Sequence, residues 1–173
     1  MLLTGWIFDL YPKPRGMTLW LTERNQKRHR LIDSFSPTFY VFGPPNGLRR
    51  LGQALAKGPA LNCRLTERMD LWEHTLLVVL EITVARPTEY FSWTRWVHRF
   101  DGTLRLYNSD LMLAAVYCWE KKIFPLALVE ADVEGEVVRA LECQDNEWSL
   151  DYQLPPFEIM QIRAVGVERI TPS

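Results

Sequence analysis

The chain has no apolar run that could cross a bilayer. Its longest, residues 76–80, falls far short of the roughly 20 residues a spanning helix needs. Cysteine is scarce: Cys63, Cys118 and Cys143 are far apart, odd in number and form no CxxC pair. That excludes a disulfide scaffold and a cysteine zinc knuckle, and it fits reduced thiols in a cytoplasmic protein. The three histidines, His29, His74 and His98, lie in separate segments without metal-ligand spacing. The nine glycines make no GxGxxG and no Walker loop. Neither sign of charge dominates, and a net charge of −1 argues against a free-standing, high-affinity DNA binder, which would be clearly basic. Met1-Leu2-Leu3 meets Thr4, Gly5 and Asp9 too soon for a secretory leader.

What is present suits a folded domain. Of 173 residues, 47% are hydrophobic and 24% charged, so the chain can bury a core without staples. Residues 2–10 and 17–22 read as strands, with Pro12, Pro14 and Gly16 breaking the chain between them. Residues 17–35 read as a hairpin turning at Arg24-Asn25-Gln26-Lys27. Aromatic and β-branched residues make 38–42 a strand. Leu48, Leu51 and Leu55 then recur at helical spacing, with Asn46 as a cap and Gly58-Pro59 as a stop.

Residues 61–68 and 76–84 read as two further strands. Residues 88–100 form an amphipathic helix whose apolar face is Phe91, Trp93, Trp96, Val97 and Phe100. A short strand follows at 104–107. From 31 to 107 the order is therefore β-α-β-β-α-β, the split βαβ or ferredoxin-like pattern. The expected fold is α+β: an antiparallel sheet with that core at about 31–107, and flanking β-hairpins. After Asn108-Ser109-Asp110, placed to cap it, a helix runs to about Lys122. Residues 126–133 and 136–143 pair about Glu134-Gly135, and 158–167 form a last strand.

Three groups of side chains could carry chemistry. On a strand Glu130, Asp132 and Glu134 share one face, as metal-dependent nucleases require of their carboxylates. Beside a hairpin turn the same spacing equally describes a solvated surface. Arg24, Lys27, Arg28 and Arg30, with His29, form the densest basic cluster and could meet phosphates, or merely keep a hairpin tip soluble. Seven tryptophans could supply a stacking platform, although core packing is the commoner use.

Two stretches resemble the amino-terminal domain of family B DNA polymerases, the archaeal and eukaryotic replicative type. They are Leu31-Ile32-Asp33-Ser34-Phe35-Ser36-Pro37-Thr38-Phe39-Tyr40 and Tyr107-Asn108-Ser109-Asp110 through Tyr117 to Phe124-Pro125. The resemblance covers about 31–132. It implies one domain over 1–153, with 154–173 opening an exonuclease domain. It implies a chain that is not itself an enzyme, in a parent DNA-directed DNA polymerase whose Mg²⁺ this chain does not hold. The implied partners are the remainder of the polymerase and single-stranded template, with no membrane.

In archaeal members this domain carries a shallow uracil-sensing pocket. The resemblance places its equivalent at Pro37, Thr38, Tyr40, Pro87, Tyr90, Val116 and Tyr117. Three positions depart from that pattern. Thr38 replaces an aromatic, Tyr90 a small aliphatic and Val116 a basic residue, which implies that uracil sensing is lost. Ala164-Val165-Gly166-Val167-Glu168 stands where the exonuclease's Asp-x-Glu would begin, with Gly166 at the first acid. Two other functions suit the same residues: a free-standing ferredoxin-like interaction module, and a metal-dependent nuclease fragment built on Glu130–Glu134.

Overall fold

The computed structural model describes residues 1–56, 61–70, 73–146 and 153–156. The strands are β1 (Leu2–Lys13), β2 (Gly16–Thr22), β3 (Arg28–Asp33), β4 (Thr38–Phe42), β5 (Leu61–Met69), β6 (Leu76–Val84), β7 (Arg105–Tyr107), β8 (Leu128–Glu134) and β9 (Val137–Cys143). The helices are α1 (Pro45–Leu55), α2 (Tyr90–Phe100) and α3 (Leu113–Lys121), with a 3₁₀ turn at Pro87–Glu89.

These elements form two sheets. β4 to β7 make a four-stranded antiparallel sheet in the order β5-β6-β4-β7, and the chain order through it is β4-α1-β5-β6-α2-β7. The flanks, expected as separate hairpins, instead close into a five-stranded barrel in the order β1-β2-β3-β9-β8. β8 docks on β1 from Leu2↔Asp132 to Trp6↔Leu128. β9 meets β3 in parallel at Ile32↔Val137, where the Ile32 N–H donates to the Glu136 carbonyl at 2.8 Å. That closure joins strands about a hundred residues apart, which no local pattern announces. Residues 31–33 belong to the barrel, and the second sheet begins only at Thr38.

Alternation builds the barrel interior. Leu3 and Ile7 of β1, Met17, Leu19 and Leu21 of β2, and Val129, Ala131 and Val133 of β8 all face one core. Gly16 sits at φ +152°, and a Cβ there would come within 1.9 Å of the Asp33 carbonyl, so only glycine fits. The prolines do not break β1 where expected. The ladder continues through Pro12↔Met17 to Lys13↔Gly16, leaving Pro14-Arg15 as the turn. β8 pairs only residues 2–6 of β1, so Pro12 lies on an edge where a missing N–H deprives no second strand.

In the second sheet Leu48, Leu51 and Leu55 of α1 pack on Phe39, Val41, Leu80, Ile82 and Val84. Asn46 does not cap α1; Pro44 holds the N-cap position and Pro45 opens the first turn, as proline's fixed φ allows. Gly58-Pro59 lies outside the described residues. The buried face of α2 is Tyr90, Thr94 and Val97, not the expected aromatic stripe: Phe91, Trp96 and Phe100 are exposed, and Trp93 is half-buried. A 3₁₀ turn at Pro87–Glu89 leads directly into α2, whose Tyr90 enters the core edge-on to Phe39. Asn108-Ser109-Asp110 precedes α3 without capping it; Met112 is the N-cap, and no side chain bonds there. α3 joins the two cores, with Leu113 in the sheet core and Val116, Tyr117 and Cys118 in the barrel core. The expected strand at 158–167, and the 164–168 segment within it, lie outside the described residues.

Candidate nucleic-acid interface

The basic cluster occupies the β2–β3 turn and the start of β3. The Glu23 N–H donates to the Lys27 carbonyl and the Gln26 N–H to the Glu23 carbonyl, both at 2.9 Å, closing the turn. Two of its four cations are engaged: Arg24 donates to Gln153 Oε1 at 2.7 Å, and Arg30 pairs with Glu136 at 2.9 Å. Lys27 and Arg28 are exposed and make no ion pair among the described residues. His29 turns inward to Glu23 rather than joining them.

Arg28 belongs to a notch that sequence reasoning missed. Along β2 and β3 two cross-strand rows meet: Asp9↔Trp20↔Arg30 and Trp6↔Thr22↔Arg28. A bulge in β1 between Ile7 and Asp9 pushes Phe8 out of register and leaves it exposed. Phe8, Asp9, Trp20, Thr22 and Arg28 line the resulting opening of about 400 Å³. The only sequence signal was the alternation that places Trp20 and Thr22 opposite Leu19 and Leu21.

The residues expected as pocket equivalents divide among three settings. Pro37, Pro87 and Tyr90 are buried about the second sheet, where the Tyr90 hydroxyl donates to the Asn108 carbonyl. Burial pushes the Tyr90 hydroxyl well above its ordinary range, helped by the charges of Asp110 and Glu120. Val116 and Tyr117 are buried in the barrel core, where the Tyr117 hydroxyl donates to Asp33 Oδ2 at 2.8 Å. Burial, then the Asp33 charge, pushes that hydroxyl up as well. Thr38 and Tyr40 lie on the sheet face opposite the helices, both half-buried. Thr38 Oγ1 meets Thr83 Oγ1 at 3.0 Å, and Arg68 lies over the Tyr40 ring at 5.3 Å.

That open face carries further aromatic and charged groups. Phe42 stacks on Tyr107 with ring centroids 4.8 Å apart. Buried Glu81 accepts from Arg64 Nε at 2.6 Å and Arg68 at 2.9 Å, so two cations are spent on one carboxylate. Hydrogen bonding to Glu81, and then its charge, raises the Arg64 guanidinium pKa further.

The acidic trio alternates outward along β8, as its spacing predicts. Asp132 meets the Met1 ammonium at 3.3 Å, and Glu134 pairs with Arg139. Among the described residues no cluster of three or more histidine, cysteine or acidic groups is arranged to hold a metal ion. The three cysteines form no disulfide, and burial pushes the Cys63 and Cys118 thiols up. No described helix is long and apolar enough to cross a membrane.

A broad apolar groove of about 1,360 Å³ lies between β1 and α3, walled by Ile7, Phe8, Leu10, Cys118, Trp119 and Phe124. Trp119 stands in it 83% exposed.

No family model matches the sequence, and no curated protein matches it. Among solved structures the chain is similar to the family B DNA polymerase from the hyperthermophilic archaeon Pyrobaculum calidifontis. The TM-score is 0.62 at 17% identity, over 83% of this chain and 21% of that one. The fold is polymerase-related. The chain thus spans about a fifth of the length of the polymerase it resembles, and the likeness at this identity is one of fold.

Proposed function

We propose that this chain is the non-catalytic amino-terminal domain of a family B DNA polymerase, acting in DNA replication or repair. The observation that carries the reading is the backbone likeness over most of this chain to a small part of such a polymerase. In this reading residues 1–153 form the domain, the four-stranded sheet is its ferredoxin-like module, and 154–173 lead toward an exonuclease domain. The chain needs no cofactor of its own; Mg²⁺ belongs to the parent enzyme. A cytoplasmic compartment belongs to the same reading, as the scarcity, odd number and wide spacing of the cysteines suggest.

Two kinds of surface suit partners of different kinds. The exposed Phe91, Trp96 and Phe100 of α2, and Trp119 in its groove, suit packing against the remainder of the polymerase. The cations of the β2–β3 hairpin suit single-stranded template. A free-standing interaction module would use the same apolar surfaces against another protein.

The test is an assay of the purified chain with primed template, nucleotides and Mg²⁺ or Mn²⁺, alongside titration with labelled single-stranded DNA. No synthesis, no degradation, and weak, salt-dependent binding are expected. Metal-dependent degradation that disappears in Asp132→Asn would establish the nuclease alternative instead. Absence of DNA binding even at low salt would favour the protein-interaction module.

A further inference from the structure

The barrel order β1-β2-β3-β9-β8, with a helix delivering the chain into its fourth strand, is that of the five-stranded barrels that bind oligonucleotides across their second and third strands. The notch lies on that face. From its geometry we propose that Phe8, Trp20 and Arg28 form a single-stranded nucleic-acid subsite, in which a base stacks in the notch and its phosphate is met by Arg28. The inference rests on the template-contact reading above and locates it on the barrel.

Each wall has a distinct part. Trp20 and Phe8 supply aromatic surface, and stacking needs no particular base because every base has a π-face. Arg28 is exposed, and no described group pairs with it; on the same hairpin Arg30 is neutralised by Glu136, and Arg24 donates to the uncharged Gln153 amide oxygen. Asp9 uses one carboxylate oxygen to accept its neighbour's Leu10 N–H at 2.9 Å, and it lines the notch as well. A carboxylate there repels a phosphate placed in the notch itself, so the phosphate goes to Arg28 and the uncharged base goes inside. The opening, about 400 Å³, lies within the range of about 300–1,000 Å³ typical of small-ligand sites. The bulge at Phe8 has a purpose in this arrangement: it takes one ring out of the ladder and sets it at the rim.

The experiment is fluorescence anisotropy with a labelled oligonucleotide of about 16 nucleotides, the upper end of the site size for such barrels. Wild type, Trp20→Ala, Trp20→Phe, Arg28→Gln and the remote control Arg95→Gln are compared at two salt concentrations, with thermal melts to verify folding. Trp20→Ala is expected to weaken binding at least about fivefold, with recovery in Trp20→Phe, as loss of one stacked base predicts. Arg28→Gln should weaken binding and lower the salt slope by about one unit. Arg95→Gln should match wild type. Should Trp20→Ala fail to fold, Arg28→Gln still decides, because its side chain is exposed. Wild-type binding that survives Arg28→Gln with an unchanged salt slope would overturn the subsite and leave the template-contact reading standing. No wild-type binding at low salt would overturn both.

Discussion

The Tyr117 hydroxyl donates a 2.8 Å hydrogen bond to Asp33 Oδ2, an oxygen that Lys121 Nζ also meets at 2.6 Å. Asp33 ends β3 inside the barrel, and Tyr117 and Lys121 are one turn apart on α3. The trio therefore fixes the helix across the barrel mouth, with Phe35 edge-on to the Tyr117 ring at 5.2 Å. Tyr117→Phe keeps the ring and removes the bond to a charged acceptor, so a loss of about 1.5–3 kcal/mol is expected in chemical denaturation. A loss below about 0.5 kcal/mol would mean that Lys121 alone satisfies Asp33.

Burial of the Tyr117 hydroxyl, together with the Asp33 charge beside it, gives stability a pH dependence. The folded-state pKa of Tyr117, like that of Tyr90, is raised above the ordinary 10.0. The unfolded chain therefore loses these protons first. Their contribution is fully present below pH 10 and declines as pH rises past it. The expected result is a fall in stability above pH 10 that is shallower in Tyr117→Phe. An equally steep fall in the variant would assign the alkaline limb to other groups.

Much of the second sheet was legible because its signals are local. Leu48, Leu51 and Leu55 share a helix face, and Phe39 and Val41 alternate with Thr38 and Tyr40, whatever lies elsewhere in the chain. The barrel was not legible. Its strands alternate clearly, but the pairings Leu2↔Asp132 and Ile32↔Val137 depend on segments about a hundred residues or more apart being brought together in space. The aromatic helix misled for another reason. Phe91, Trp96 and Phe100 satisfy a helical period as well as Tyr90, Thr94 and Val97 do, and periodicity cannot say which of two stripes faces the sheet. Burial gives that place to a tyrosine whose hydroxyl finds the Asn108 carbonyl and a threonine whose hydroxyl donates to the Phe91 carbonyl at 3.2 Å. The notch needed the bulge at Phe8, which sequence spacing does not mark.

That stripe is testable by truncation. Trp96 is 41% exposed, so Trp96→Ala should cost under about 1 kcal/mol, as for a surface site. Leu51 is fully buried under the sheet, and Leu51→Ala should cost about 2–5 kcal/mol. Equal losses in the two variants would show that Trp96 is covered in solution.

Catalysis by the carboxylates of β8 has a direct check. Asp132 already neutralises the amino terminus, Glu134 faces Arg139, and the strand stands on the outer wall of a closed barrel. A two-metal centre needs convergent acids from several segments. The expected outcome is no Mg²⁺- or Mn²⁺-dependent hydrolysis of single-stranded DNA, unchanged in Asp132→Asn. Turnover in wild type that the substitution abolishes would place a metal at this strand.

Uracil is the last discriminating ligand. Of the positions that the sequence resemblance matches to a uracil pocket, Tyr90 and Tyr117 are fully buried, and Val116 nearly so. Thr38 is engaged with Thr83, and Tyr40 lies under Arg68. Opening a base-sized space there would expel two tyrosines from two different cores, at a cost of several kcal/mol each if truncation is a guide. The notch at Trp20 has no such barrier, and stacking there does not read the 5-methyl group that separates thymine from uracil. Matched oligonucleotides differing only in uracil or thymine should therefore bind alike at each of two salt concentrations. A preference for uracil of about tenfold, or about 1.4 kcal/mol, would require a pocket that forms only on binding.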